Sequence, residues 1–228
     1  MSDSTFFIYG ETEINYLKAK DPILGAVIDE IGHVNRPVTP DLFSALINSI
    51  VGQQISNKAL ATVWARMEER FFPMNEKTLQ NATLEELQSC GISFRKAAYI
   101  RDVAEAVQQG TLDLKRLHKL SDAEVSRELT KIKGIGAWTA EMLMIFSMQR
   151  PNILSIDDLA ILRGLRMLYR HRAITPKLFA KYKRRYSPYA TVAGLYLWAI
   201  AGGACPALLD PAASSKGNVK KKKSASKK

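Results

Sequence analysis

Residues 129–158 read LTKIKGIGAWTAEMLMIFSMQRPNILSIDD, and they limit the chain more than any other stretch. Leu129 and Ile132 close one helical segment. Lys133-Gly134-Ile135-Gly136 interrupts it, and Trp138-Thr139-Ala140 opens a second helix at once. A two-glycine turn leaves bare backbone N–H groups at a helix N-terminus, a place suited to an anion and to a phosphate in particular. Asp157-Asp158 follow the second helix. A carboxylate pair just beyond a phosphate-gripping turn points to chemistry on a nucleic acid, not to binding alone.

The rest of the chain is punctuated in the same way. Residues 11–31 carry Ile14, Leu17, Leu24, Val27, Ile28 and Ile31 at three- and four-residue steps, which predicts a helix across that span. Thr39-Pro40-Asp41 starts another, with Thr39 as cap and Pro40 at the first position, running through DLFSALINSIVGQQ. Further helices are expected from Ser56 to Arg70, over 84–90 behind the capping box Thr83-x-x-Glu86, from Arg95 to Gln109, and behind a second box, Ser121-x-x-Glu124. Beyond the carboxylates, 158–170, 176–185 and the apolar run after Pro188 read as helix. Only Thr5–Tyr9 hints at a strand. Short loops and repeated caps predict an all-α domain.

Charge narrows the partner. The net charge of the 228 residues is +11, and seven lysines after Ser215 (216, 220–223, 227 and 228) account for much of it, leaving +4 for the rest. A mildly basic domain with a strongly basic arm fits a polyanion, most often nucleic acid. The arm, 214–228, cannot build a core and is expected to be disordered; it could serve as a nucleic-acid tether or a localisation signal, or be a vector-derived remnant. Cys90 and Cys205 are far apart and outside any CxxC, so no metal or cofactor site is written here, and they fit free thiols of a reducing compartment. The N-terminus lacks signal-peptide character and no apolar run is long enough for a membrane. The expectation is an intracellular monomer that does not engage membranes.

Each chemical motif has a plain alternative. The 129–145 segment could be an ordinary glycine connection between helices, but Lys131, Lys133 and the apolar flanks coincide with the turn, as a helix-hairpin-helix that holds one DNA phosphate requires. Asp157 or Asp158 could simply cap the LAILRGL helix. Beside a DNA-gripping turn, a carboxylate can instead stabilise the oxocarbenium-like sugar formed when an N-glycosidic bond breaks. Trp138 and Trp198 lie on apolar helices, where tryptophans are usually core. His33, His118 and His171 have no ligand spacing. Arg163, Arg166, Arg170 and Arg172 either track a nucleic-acid backbone or form a solvated face.

With these residues in view, Gly134–Ala140 followed by Asp157-Asp158 resembles the helix-hairpin-helix DNA glycosylase superfamily, and within it the bacterial alkylation-repair type, 3-methyladenine DNA glycosylase II. Ser49–Ser56 resembles that family's early GQQ signature. Cys90–Ser93 with Arg95-Lys96-Ala97 resembles the turn of its middle helices, and Pro188-Tyr189 with Trp198 its last helix. The resemblance implies that Asp158 is catalytic and that Trp138, Trp198, Gln53, Met142 and Leu159 line the base pocket. It implies that Lys131, Lys133, Gly134, Ile135, Gly136 and Thr139 hold DNA. Bifunctional relatives carry a lysine where Trp138 stands, so a monofunctional enzyme that uses water and leaves an abasic site is implied.

The implied fold is bilobal, with a DNA-binding cleft between a central lobe (41–154) and a terminal lobe (1–40 with 155–213). About forty residues precede the Pro40 helix, too few for the β-rich domain with which such relatives often begin. Phe72 or Met74 is the candidate wedge for the gap left by a flipped base. The implied partner is double-stranded DNA with damaged bases, in the nucleoid of a bacterium or the nucleus of a eukaryote. The competing readings are a noncatalytic DNA-binding module and a glycosylase for oxidised or mismatched bases.

Overall fold

The computed structural model describes residues 6–212, so the lysine arm and Thr5 lie outside it. The described residues form thirteen helices, and the expected strand is reduced to a single bridging position at Phe6. In chain order they are α1 Glu11–Lys20, α2 Pro22–Ile31, α3 Leu42–Gly52, α4 Asn57–Arg70, α5 Glu76–Asn81, α6 Leu84–Ser89 and α7 Phe94–Gln108. There follow α8 Leu114–Leu117, α9 Asp122–Thr130, α10 Ala137–Phe146, α11 Leu159–Tyr169, α12 Pro176–Tyr186 and α13 Ala190–Ala201.

Local chemistry explains the departures from the expected elements. The predicted 11–31 helix is two helices, because Pro22 ends the first and Asp21 caps the second, its carboxylate accepting from the Ile23 and Leu24 N–H groups. Asp41, not Thr39, caps α3, accepting from Ser44 N–H, and α3 stops at Gly52 without including the two glutamines. Gln54 sits in the left-handed region at φ 58°, which no helix can continue through. Both predicted capping boxes form, at Thr83–Glu86 and Ser121–Glu124. Helices α5 and α8 are too short to leave a periodic signal.

The chain divides into two compact units. Among the described residues the first runs from Pro37 to Gln149 and holds α3–α10; the second joins Phe6–Arg36 to Arg150–Ala212. The divisions at 36/37 and 149/150 fall a few residues before the expected 40/41 and 154/155. The hydrogen bonding explains the shift. Thr39 N–H donates to the Phe146 carbonyl at 2.8 Å, tying the chain before α3 to α10. Thr191 Oγ1 donates to the Arg150 carbonyl at 2.7 Å and accepts from Ile153 N–H at 2.9 Å, tying 150–153 to α13.

In the first unit the core is built by Leu46, Ile47 and Ile50 of α3, Ile100 and Val103 of α7, and Val125, Leu129, Ala140 and Leu143 of the hairpin helices, all buried. In the second, α13 is buried along nearly its whole length. Gly164 lets α11 lie against it: a Cβ there would stand 2.4 Å from the Leu197 carbonyl oxygen.

Candidate active site

The hairpin is built from its turn outward. Ile132 and Ile135 N–H groups donate to the Leu129 and Ile132 carbonyls at 3.1 and 3.0 Å, and the buried Ile135 side chain pins the turn to the core. Ile135 can therefore meet DNA only through its backbone. Gly134 has φ +89°, and a Cβ there would lie 2.6 Å from the Tyr99 ring, so both backbone and packing exclude a side chain. Gly136 is the N-cap of α10 and supplies no side-chain cap; a Cβ on it would meet nothing within 4 Å. The N-terminus of a ten-residue helix thus faces open space with no side chain of its own at the cap.

Two braces hold this turn, and sequence reasoning did not find how they work. Gln53, expected in the base pocket, donates its amide Nε2 to the Gly134 carbonyl at 2.6 Å. Lys96 Nζ in turn donates to the carbonyls of Val51 and Gln53 at 2.8 and 2.7 Å. Burial, and then the neighbouring Arg95 charge, lowers the Lys96 pKa. The C-terminal end of α3 is thereby locked to the hairpin. Partners 81 and 43 residues apart carry no local signal.

The two hairpin lysines are already paired. Lys131 contacts Glu128 at 2.8 Å and Lys133 contacts Asp102 at 4.0 Å. Both pairs are largely exposed, so each is weak enough for a phosphate to compete with the carboxylate.

Beside the start of α10 lies a cavity of about 590 Å³, lined among others by Asn48, Gln53, Leu60, Trp138, Met142 and Phe146. Trp138 is 46% exposed and so is no core residue. Thr139 also reaches this wall. The other two residues expected in a base pocket belong to the second unit and do not line the cavity. Leu159 is 80% exposed at the first position of α11. Trp198 is half-buried, with the Arg36 guanidinium 5.9 Å above its ring. Phe72 is 86% exposed, Met74 half-buried.

The carboxylate pair separates into two environments. Asp157 is exposed. Asp158 is 7% exposed and caps α11, its Oδ1 accepting from the Ala160 and Ile161 N–H groups at 2.9 Å each. Capping, one of the two readings weighed for this pair, falls to Asp158. A carboxylate held by two N–H donors and a helix dipole is fixed in orientation. Arg166 is held by Asp210 at 2.6 Å and so is not available for a nucleic-acid backbone, whereas Arg163, 3.9 Å from the same carboxylate and half-exposed, is only weakly paired.

Residues 47–188, which contain the GQQ segment, the whole hairpin and both aspartates, match the model of the HhH-GPD superfamily of base excision DNA repair proteins. The chain belongs to that superfamily. As an HhH-GPD protein it is a DNA glycosylase, and curated relatives agree. It is 35% identical to DNA-3-methyladenine glycosylase 1 of Schizosaccharomyces pombe over 162 residues, 68% of this chain and 71% of the relative. A putative DNA-3-methyladenine glycosylase of Bacillus subtilis is 27% identical over 77% of this chain, which spans 64% of that relative.

Solved HhH-GPD structures share the fold. A DNA-3-methyladenine glycosidase from Bacillus halodurans superposes with a TM-score of 0.80 at 38% identity, covering 86% of this chain and 92% of its own. The Schizosaccharomyces pombe 3-methyladenine DNA glycosylase bound to abasic DNA gives 0.70 at 28% identity, covering 84% and 97%. No helix of the described residues is long and apolar enough to cross a membrane.

Proposed function

We propose that this glycosylase hydrolyses the N-glycosidic bond of alkylated purines in duplex DNA, 3-methyladenine among them, with Asp158 as the catalytic carboxylate. The observation that carries the reading is the buried, doubly hydrogen-bonded Asp158 at the start of α11. The damaged nucleotide leaves the stack, with the exposed Phe72 as the better wedge candidate than half-buried Met74. As the C1′–N bond lengthens, positive charge grows on the sugar. A fixed carboxylate stabilises that charge and orients water, whose oxygen bonds to C1′ while Asp158 takes its proton. The base departs with the bonding electrons. An alkylated purine already carries positive charge, so it leaves as a neutral molecule and requires little acid assistance. The name of the Schizosaccharomyces pombe relative and that of the Bacillus halodurans structure support this lesion class.

The proposed enzyme is monofunctional. Trp138 stands where bifunctional relatives place a lysine, and an indole forms no Schiff base. Purified protein incubated with alkylated and with oxidised duplexes should release 3-methyladenine and leave the oxidised bases in place. Borohydride added during turnover should trap no covalent adduct, and product strands should break only after alkali. The chain truncated before Lys216 controls for stray reaction of the tail lysines. A strong adduct from that truncated protein would end the monofunctional reading, and release of only oxidised bases would end the alkylpurine reading.

A further inference from the structure

The second unit carries a cationic surface that the active site does not use. Between Tyr169 and Tyr189 the chain has seven arginines and lysines and no acid. Two of these are committed inward: Arg185 pairs with Asp21 at 2.6 Å, and Lys183 donates to the Leu154 carbonyl at 3.2 Å. The remaining five, Arg170, Arg172, Lys177, Lys181 and Arg184, are exposed, and among the described residues none has a carboxylate within ion-pair distance.

Their arrangement is ordered. Lys177, Lys181 and Arg184 recur at four- and three-residue steps, on one side of α12. The opposite side, Phe179, Tyr182 and Tyr186, is buried. The loop before α12 is fixed to it: His171 Nε2 and Tyr182 Oη lie 2.7 Å apart, and the Tyr169 and Tyr182 rings stack at 4.3 Å. Lys177 to Arg184 spans about 10 Å of helix, close to the rise of three nucleotide steps along one strand.

We propose that this face of α12, with Arg170 and Arg172, is a second anchorage for duplex DNA, gripping phosphates without reading bases. The proposal takes its partner from the family assignment. Charge complementarity carries it, and the helix's own burial pattern selects the polyanion. A helix that docks on a lipid surface presents its apolar face outward, whereas the apolar face of α12 is spent on its own unit. Such an anchorage would hold undamaged duplex during the search for a lesion.

The test is fluorescence anisotropy of the full chain on two undamaged duplexes of unrelated sequence over a series of salt concentrations. The variant is the triple substitution Lys177→Gln, Lys181→Gln, Arg184→Gln. Its log–log salt slope should be shallower by about three, equally for both sequences, since each lost phosphate contact removes about one unit. Photo-crosslinker attached at Lys181→Cys should label DNA. An unchanged slope, or no labelling, overturns the proposal. So does a loss of binding to phosphatidylserine vesicles while the DNA slope stays at its wild-type value, which would make the face a membrane contact. Base release from a 3-methyladenine duplex is measured in parallel. Absence of release by the wild-type protein together with a shallower slope in the variant would sink the proposed excision chemistry and leave the anchorage standing.

Discussion

Two helix N-termini in this protein use the same physics in opposite directions. At the start of α11, Asp158 turns its carboxylate back onto the Ala160 and Ile161 N–H groups and is buried. At the start of α10, Gly136 offers no side chain, and the space where one would stand is open. Both caps have extended backbone, with φ near −87° in each: −86° at Asp158 and −88° at Gly136. The dipole and the N–H donors are alike in kind. One end is closed by the chain's own anion, and the other has no side chain at its cap. On the proposed function, one residue, the cap, decides whether a helix terminus binds an anion or holds a functional carboxylate.

The sharpest way to break the comparison is Asp158→Asn. Asparagine caps a helix about as well as aspartate, so stability should change by less than about 1 kcal/mol. Excision should fall by about 10²–10³-fold, some 3–4 kcal/mol of barrier, because the amide cannot stabilise a developing cation. Single-turnover release of 3-methyladenine alongside thermal melting makes the measurement. Full activity in a stable variant would reduce Asp158 to a cap. Asp157→Asn, at an exposed position, should be much milder.

Asp21 sharpens the comparison from the other side, as a buried cap with no place in the chemistry. It accepts the Ile23 and Leu24 N–H groups with Oδ1, while Oδ2 takes the Tyr169 hydroxyl and the Arg185 guanidinium, each at 2.6 Å. Burial pushes this carboxyl up, but hydrogen bonds from Tyr169, Arg185 and Leu24, with the Arg185 charge, outweigh it and hold the pKa below 3.8. A lowered folded-state value means that the stabilisation is complete above the ordinary carboxylate pKa and is lost as pH falls through the folded one. Asp21→Asn should cost about 2–3 kcal/mol at neutral pH and leave excision by the folded enzyme intact. It should also flatten the decline expected of the wild type below about pH 4 in urea titrations. An equally steep acid decline in the variant would assign that decline to other groups.

How much of this was legible follows from how local each device is. Capping boxes at Thr83 and Ser121 lie within four residues and formed as expected. The helix break at Asp21-Pro22 was written in the sequence too, but apolar periodicity across 11–31 concealed it. Glu128 stands three residues before Lys131, so that ion pair could have been anticipated; Asp102 for Lys133 could not. The Gly134–Tyr99 contact and the Lys96–Gln53–Gly134 chain bring together segments far apart in sequence, and only folding reveals them. The candidate site was therefore readable as a set of residue types, while what braces it was not.

The smallest effect tests the open end directly. Gly136→Asp would give α10 the kind of cap that α11 already has. The extended backbone at Gly136, φ −88° and ψ 174°, suits an aspartate, and its Cβ would meet no atom within 4 Å. Thermal stability should rise by a few tenths of a kcal/mol, since aspartate outranks glycine as a cap by about that much. DNA affinity should fall about tenfold and equally for damaged and undamaged duplexes, because the new carboxylate competes for the N–H donors and repels the phosphate without touching base readout. Melting and anisotropy on the same sample separate the two effects. A variant that became more stable and still bound DNA at the wild-type level would show that the hairpin does not grip phosphate through the start of α10, and the two termini would then differ in sequence without differing in use.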